Sequence, residues 1–240
     1  MPRMAKLDAR PQPLELDLAR TAVLVIDMQN DFGSAGGMFD RAGIDISGIR
    51  EAVAPTAAVL AAARRCDLKI VYLKMGYLPD LSDLGLPGAP NHTLHIDRFK
   101  VGDIVTAPDG SQGGTLIRDT WGTAIIDGLT PQVADTVLYK TRFSGFYRTE
   151  LDELLRRSGI RHLIVTGCTT SICVESTIRD AAFRDYQCAL LSDCTSEQLG
   201  MHESRSNRDV TLQLIEHIFG WVSDSKSVLR ALATIGAPLN

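Results

Sequence analysis

Apolar residues in this chain follow two rhythms. Short continuous runs rich in β-branched residues read as strands buried on both faces, Thr21-Ala22-Val23-Leu24-Val25-Ile26 being the clearest. Such runs fall at 21–26, 69–74, 135–139, 161–166 and 187–192, with a last short one near 218–222. Between them lie segments whose apolar positions recur at helical spacing, the first an alanine-rich stretch near 50–65. Strands alternating with helices predict an α/β fold. The expected architecture is one three-layer α/β/α domain over residues 1–240, built on a doubly wound, mostly parallel six-stranded, Rossmann-like sheet.

Two stretches stand outside that alternation. Residues 1–20 hold Pro11 and Pro13 and read as a mostly irregular arm. Residues 76–120 hold Pro79, Pro87, Pro90 and Pro108 among many glycines, too long for a simple connector. That stretch is expected to be a lid or binding loop, an oligomer contact, or a small β-hairpin turning at Asp109-Gly110.

Chemistry-bearing residues gather where the predicted strands end. Asp27 follows the run 21–26, Lys140 follows Asp135-Thr136-Val137-Leu138-Tyr139, and Cys173 lies in Gly167-Cys168-Thr169-Thr170-Ser171-Ile172-Cys173-Val174-Glu175. In open α/β sheets the carboxyl ends of the strands are where sites are built. Taken singly, Asp27 reads equally as a helix cap, Lys140 as a solvated lysine and Cys173 as a small buried hydrophobe. Taken together, an acid, a cation and a thiol on one sheet edge make a constellation. Thr170 or Ser171 is expected to cap the helix that follows, placing Cys173 in its first turn, where the dipole favours a thiolate. Asp27 would then take the thiol proton and return it to a leaving amine, while Lys140 supplies a fixed positive charge. The tetrahedral oxyanion needs backbone donors, with the N–H of Cys173 and one from the Cys168-to-Thr170 turn as candidates.

At this point the sequence resembles the isochorismatase-like cysteine hydrolases, in the branch of ureidoacrylate amidohydrolase, N-carbamoylsarcosine amidohydrolase and biuret hydrolase. The carriers are Val25 to Phe32, Tyr139 to Phe146, and Gly167 to Ala181, with Phe219-Gly220-Trp221-Val222-Ser223-Asp224 close to the ureidoacrylate enzymes. The resemblance implies a triad of Asp27, Lys140 and Cys173. It further implies a cis peptide at Cys168–Thr169 that aims the N–H groups of Thr169 and Cys173 at the oxyanion, and a homo-oligomer, dimer or tetramer.

Two departures bear on substrate. Metal-dependent nicotinamidases of this superfamily carry an Asp-x-His pattern where this chain reads Lys74-Met75-Gly76-Tyr77-Leu78-Pro79, so no metal and no other cofactor is expected. His92 and His95 match no metal-site spacing and read as loop histidines. In the ureidoacrylate enzymes an Asn corresponds to Met75 and an aromatic hydroxyl to Phe143, so the resemblance implies a less polar pocket here. Candidate substrate contacts are Asn30, Phe32, Met75, Tyr77, Arg142 and Phe143. Arg142 would pair with a carboxylate, and the aromatic rings would wall the pocket. Asn30 could equally shape its own loop, Arg148 reads as a surface arginine and Phe146 as core. Gln198, Glu197 and His202 lie near the same edge without an assigned role. The expected function is hydrolysis of a small carbamoyl or ureido C–N bond through a covalent Cys173 intermediate, with biuret, maleamate or a non-catalytic relative as alternatives.

Composition narrows the class further. A net charge of −4 supplies no basic surface for nucleic acid, and no run approaches the ~20 apolar residues of a membrane span. Five cysteines and an N-terminal segment without an apolar signal core fit reduced thiols and a cytoplasmic enzyme.

Overall fold

Six strands pair in parallel in the order β10-β9-β8-β3-β4-β7. The computed structural model describes residues 3–198 and 206–233. Its strands are β1 (Met4–Leu7), β2 (Leu14–Asp17), β3 (Thr21–Ile26), β4 (Lys69–Met75), β5 (Ile104–Thr106), β6 (Gln112–Gly114), β7 (Thr136–Lys140), β8 (His162–Cys168), β9 (Gln187–Ser196) and β10 (Trp221–Ser223). Its helices are α1 (Asn30–Gly33), α2 (Met38–Arg41), α3 (Ser47–Arg65), α4 (Pro90–Thr93), α5 (Leu151–Arg157), α6 (Glu175–Ala182), α7 (Asn207–Leu214) and α8 (Ser225–Ala233). The sheet with its flanking helices is the expected α/β architecture.

Every residue of β3 is buried, as a strand covered by helices on both faces must be. In α3 the buried positions Ile49, Ala52, Thr56, Val59, Leu60 and Ala63 recur at helical spacing, and the helix lies against β9, β4, β8 and α8. From β3 the chain steps outward to β4 and β7, then crosses back to β8 on the other side of β3. The direction of winding therefore reverses between β3 and β8, the crevice at which doubly wound sheets place their ligands.

Two expectations about elements change, and for the long stretch the hairpin alternative holds. Residues 1–20 are not an irregular arm: β1 and β2 form an antiparallel hairpin that buries Ala5, Leu7, Leu14 and Leu16. Period-two alternation governs those positions, although the intervening prolines suggest disorder. Beyond the hairpin, Arg10 exchanges backbone hydrogen bonds with Val222 (2.9 and 3.0 Å), tying this segment to the sheet edge. The last strand begins at Trp221 rather than near 218, because Ile215–Phe219 is a π-helical turn ending α7. The stretch 76–120 contains α4, a π-helical turn at Leu94–Arg98 and the β5–β6 hairpin. That hairpin turns at Asp109-Gly110, with Gly110 in the left-handed region at φ 84°. Tyr77, Leu84, Val101 and Leu116 of this stretch are buried, so it is packed onto the sheet edge. Among the described residues no helix is long and apolar enough to cross a membrane.

Candidate active site

Asp27 is the first residue past β3. Its backbone adopts the left-handed region at φ 53°, where a short polar side chain is tolerated best. The Asp27 N–H donates to Leu73 O (2.8 Å), and Oδ1 accepts the Met75 N–H (2.9 Å). Gln29 completes the clamp: its Oε1 accepts the same Met75 N–H (2.7 Å) and its Nε2 donates to Met75 O (2.8 Å). The other carboxylate oxygen, Oδ2, lies 2.7 Å from Lys140 Nζ, and both side chains are essentially inaccessible. Oδ2 has no well-directed hydrogen bond among the described residues. Opposite charge and a hydrogen-bonding distance hold the pair together, and a third group shares the site.

That third group is Cys173, whose thiol interacts with both Asp27 and Lys140. Burial pushes the thiol well above its ordinary range, Lys140 pulls it down and the Asp27 charge raises it again. Burial thus opposes the thiolate that the helix-end position favours, and Lys140 offsets part of that opposition. Burial also raises the Asp27 carboxyl, against the opposing charge of Lys140. Lys140 is held above its ordinary value because two potential anions face it.

The turn that carries Cys173 is built differently from the expected capped helix. Thr170–Val174 is a π-helical turn, α6 begins only at Glu175, and neither Thr170 nor Ser171 supplies a side-chain cap. Instead Glu197 of the segment after β9 reaches across, its Oε2 accepting the Ser171 N–H (2.6 Å). Thr170 and Thr195 share a hydroxyl hydrogen bond of 2.9 Å, and Thr177 donates to Cys173 O (2.7 Å). The helix-end N–H is thus met by a buried carboxylate from another strand, a pairing invisible to local sequence. The Cys168–Thr169 peptide is cis, as the resemblance implied. Gly167 sits at φ 122°, and a Cβ there would meet Ile26 O at 2.0 Å, so only glycine lets β8 lie this close to β3.

A cavity of about 110 Å³ opens on Asp27 and Cys173. Phe32, Met75, Phe143 and Thr169 are among the residues that line it. Three other candidates lie elsewhere. Arg142 does not line the cavity; its guanidinium donates to Thr141 O (2.6 Å) and Asp83 O (3.2 Å), because the chain turns away after β7. Asn30 is used locally: Nδ2 donates to Trp121 O (2.9 Å) and Oδ1 accepts from Ser34 Oγ (2.7 Å). Tyr77 is fully buried behind the wall, its hydroxyl near Thr141 O (3.4 Å) and its ring edge-on to His95. Phe146 is core, and Arg148 is exposed. His202 lies outside the described residues.

Residues of the long stretch replace them. His95, read as an ordinary loop histidine, is buried and lines the cavity, and Arg98 stands at its rim. Burial lowers the His95 ring to about 4, so it is neutral at physiological pH. Arg98 lies over the Phe99 ring (5.5 Å) and has no carboxylate partner among the described residues. Nothing in local sequence separates these residues from surface positions; only the fold of 76–120 brings them in. Among the described residues no group of three or more His, Cys, Asp or Glu is placed to hold a metal.

Comparison with known proteins agrees with this geometry. Residues 21–227 match the isochorismatase domain. The chain is 39% identical to ureidoacrylate amidohydrolase RutB of Methylorubrum extorquens over 232 residues, covering 95% of this chain and 89% of that protein. With the RutB of Caulobacter vibrioides strain NA1000 identity is 40%, covering 92% and 90%. A cysteine hydrolase of Pseudomonas syringae pv. phaseolicola superposes with a TM-score of 0.75 at 27% identity, covering 92% of this chain and 95% of the other. N-carbamoylsarcosine amidase from Thermoplasma acidophilum shares the fold at a TM-score of 0.63 and 24% identity, covering 86% and 96%. With that match over most of its length, and an acid, a lysine and a cysteine meeting at the sheet's switch point, the chain belongs to the isochorismatase family.

Proposed function

We propose that this protein is a cysteine amidohydrolase that cleaves a C–N bond of a small ureido or carbamoyl acid of the ureidoacrylate type. The single observation that carries the reading is the buried contact of Asp27 and Lys140 at 2.7 Å with the Cys173 thiol beside it, open to one small cavity. Ion pairs are rarely enclosed so completely without chemistry to do.

The steps follow from the charges. As Cys173 Sγ attacks the carbonyl carbon, its proton passes to Asp27, and Lys140 stabilises the negative charge on sulfur while it exists. The carbonyl oxygen becomes an oxyanion held by the N–H groups of Thr169 and Cys173. Collapse breaks the C–N bond, and Asp27 returns its proton to the departing amine or ammonia. The S-acyl or S-carbamoyl intermediate is then attacked by water, whose proton Asp27 takes, and the thiol is restored. Because the thiol is raised by burial, proton transfer accompanies attack rather than preceding it.

Arg98 supports an acidic substrate, since an unpaired guanidinium at the rim suits a carboxylate. Met75 and Phe143 support another small amide as the second reading: biuret, which has no carboxylate, or maleamate, which has one. The test is ammonia release from these compounds by wild type and by Cys173→Ala. Cys173→Ala should bind substrate, keep its circular dichroism spectrum and release nothing. Appreciable turnover by that variant would overturn the covalent mechanism. The same reading includes a cytoplasmic homo-oligomer, dimer or tetramer; light scattering that gives only a 26.1 kDa species would remove the assembly.

A further inference from the structure

Among the described residues His95 is the one histidine that lines the cavity at Cys173. It is 3% exposed, edge-on to Tyr77 at 5.3 Å between ring centroids and stacked on Phe143 at 6.1 Å. Its Nδ1 lies 2.6 Å from Asn91 O. A carbonyl oxygen can only accept, so Nδ1 carries the ring proton. The neutral ring then has one remaining polar atom, Nε2, whose lone pair can only accept. Nε2 has no partner among the described residues, yet it is not among the enclosed polar atoms left unpaired. It therefore reaches the open space of the cavity that the ring lines.

We infer that His95 Nε2 is a specificity-determining acceptor that takes an N–H of the substrate's carbamoyl group. This rests on the reading of Cys173 as the nucleophile toward a carbamoyl carbon. The rest of the cavity offers few other acceptors. Phe32, Met75, Phe99 and Phe143 have none, Asp27 is engaged by Lys140, Met75 and the thiol, and Gln198 Oε1 is the other unpaired side-chain acceptor on the wall. A carbamoyl NH2 placed against those walls would leave water and lose its hydrogen bonds, which the site must replace or forfeit affinity. The long stretch thus supplies from Leu94–Arg98 a polar contact that Met75, at the end of β4, and Phe143, three past Lys140, do not. Low basicity suits the task, because a protonated Nε2 would repel an N–H donor and sit near the Lys140 charge. An ester or thioester of the same shape has no N–H to give and should gain nothing from His95.

Two substitutions separate recognition from scaffolding. His95→Asn retains an amide N–H within reach of Asn91 O but removes the acceptor at Nε2. His95→Gln returns an amide oxygen near the Nε2 position. For the ureido or amide compound that wild type hydrolyses best, KM should rise about tenfold in His95→Asn, the effect of one lost hydrogen bond, with kcat within about threefold. His95→Gln should recover most of that loss. A second readout needs no hydrolysis: the rate of Cys173 alkylation, followed by mass spectrometry, with iodoacetamide against methyl iodoacetate. The preference of wild type for the amide reagent should fall several-fold in His95→Asn, while the ester rate stays the same. If His95→Asn matches wild type in both readouts, or if it slows ester and amide equally, His95 is only part of the wall and the inference fails. If wild type alkylates with amide preference yet hydrolyses no ureido compound, the inference stands for a primary amide and the ureido reading fails instead.

Discussion

Lys140→Met isolates what the buried charge does. At 2.7 Å and an effective dielectric of about 20, Coulomb's law gives roughly 6 kcal/mol between Nζ and the Asp27 carboxylate. Burial already raises the Asp27 carboxyl against the pull of Lys140, so losing that charge raises it further. The folded variant can then hold a proton on Asp27 that the unfolded chain, with a carboxyl near about 3.9, releases by pH 7. The stability lost is therefore capped at about 4 kcal/mol, the cost of keeping that proton on at pH 7, rather than the full Coulomb energy. The sign is fixed by linkage. The variant's carboxyl is raised in the folded state, so its deficit against wild type shrinks as pH falls from about 7 to 4, where the unfolded chain also takes up the proton. Without an ionised base, kcat/KM at pH 7 should fall at least a hundred- to ten-thousand-fold, the span attributed to general base catalysis. Urea unfolding of wild type and Lys140→Met at pH 7 and pH 4, with ammonia release at pH 7, measures both quantities. A variant with near wild-type kcat/KM, or one equally destabilised at both pH values, would refute the charge coupling.

Other expectations can be checked as simply. Arg98→Gln should raise KM about tenfold for a ureido acid and leave that for biuret unchanged, because only the acid has a carboxylate to place at the rim; equal effects on both would remove Arg98 from recognition. Gly167→Ala should cost more than about 3 kcal/mol, from the strain of φ 122° and the forced retreat of Ile26 O, and should lower Tm by roughly 6 °C or more. An unchanged Tm in a thermal melt would mean β8 does not approach β3 as described. For Cys173→Ala the outcome to watch is complete loss of ammonia release with the fold intact.

How much of this was legible beforehand can be argued from particular residues. Runs such as Thr21–Ile26 announce buried strands because six consecutive apolar or β-branched residues have no stable place except inside a parallel sheet. Strands of that kind point their carboxyl ends the same way, so Asp27, Lys140 and the Cys173 turn could be placed on one edge from sequence alone. The register that brings Asp27 to 2.7 Å from Lys140 across β4, a strand that contributes neither, was decided by pairing between distant segments. Tertiary structure also set the thiol's surroundings: helical position favours a thiolate at Cys173, while burial of the triad pushes the thiol the other way. The pocket was the least legible part. Arg142 and Asn30 are near in sequence to the catalytic positions yet spend their hydrogen bonds on neighbouring backbone and loop side chains, whereas His95 and Arg98 arrive from a stretch whose prolines and glycines carry no periodic signal. Glu197 and Gln29 were equally hidden, each fixing a backbone N–H of an element distant in sequence. Local apolar pattern thus determined which elements exist and which way they run, since burial acts on each segment separately. Which side chains meet was left to long-range packing, because distances between strands and loops depend on the whole chain's closure.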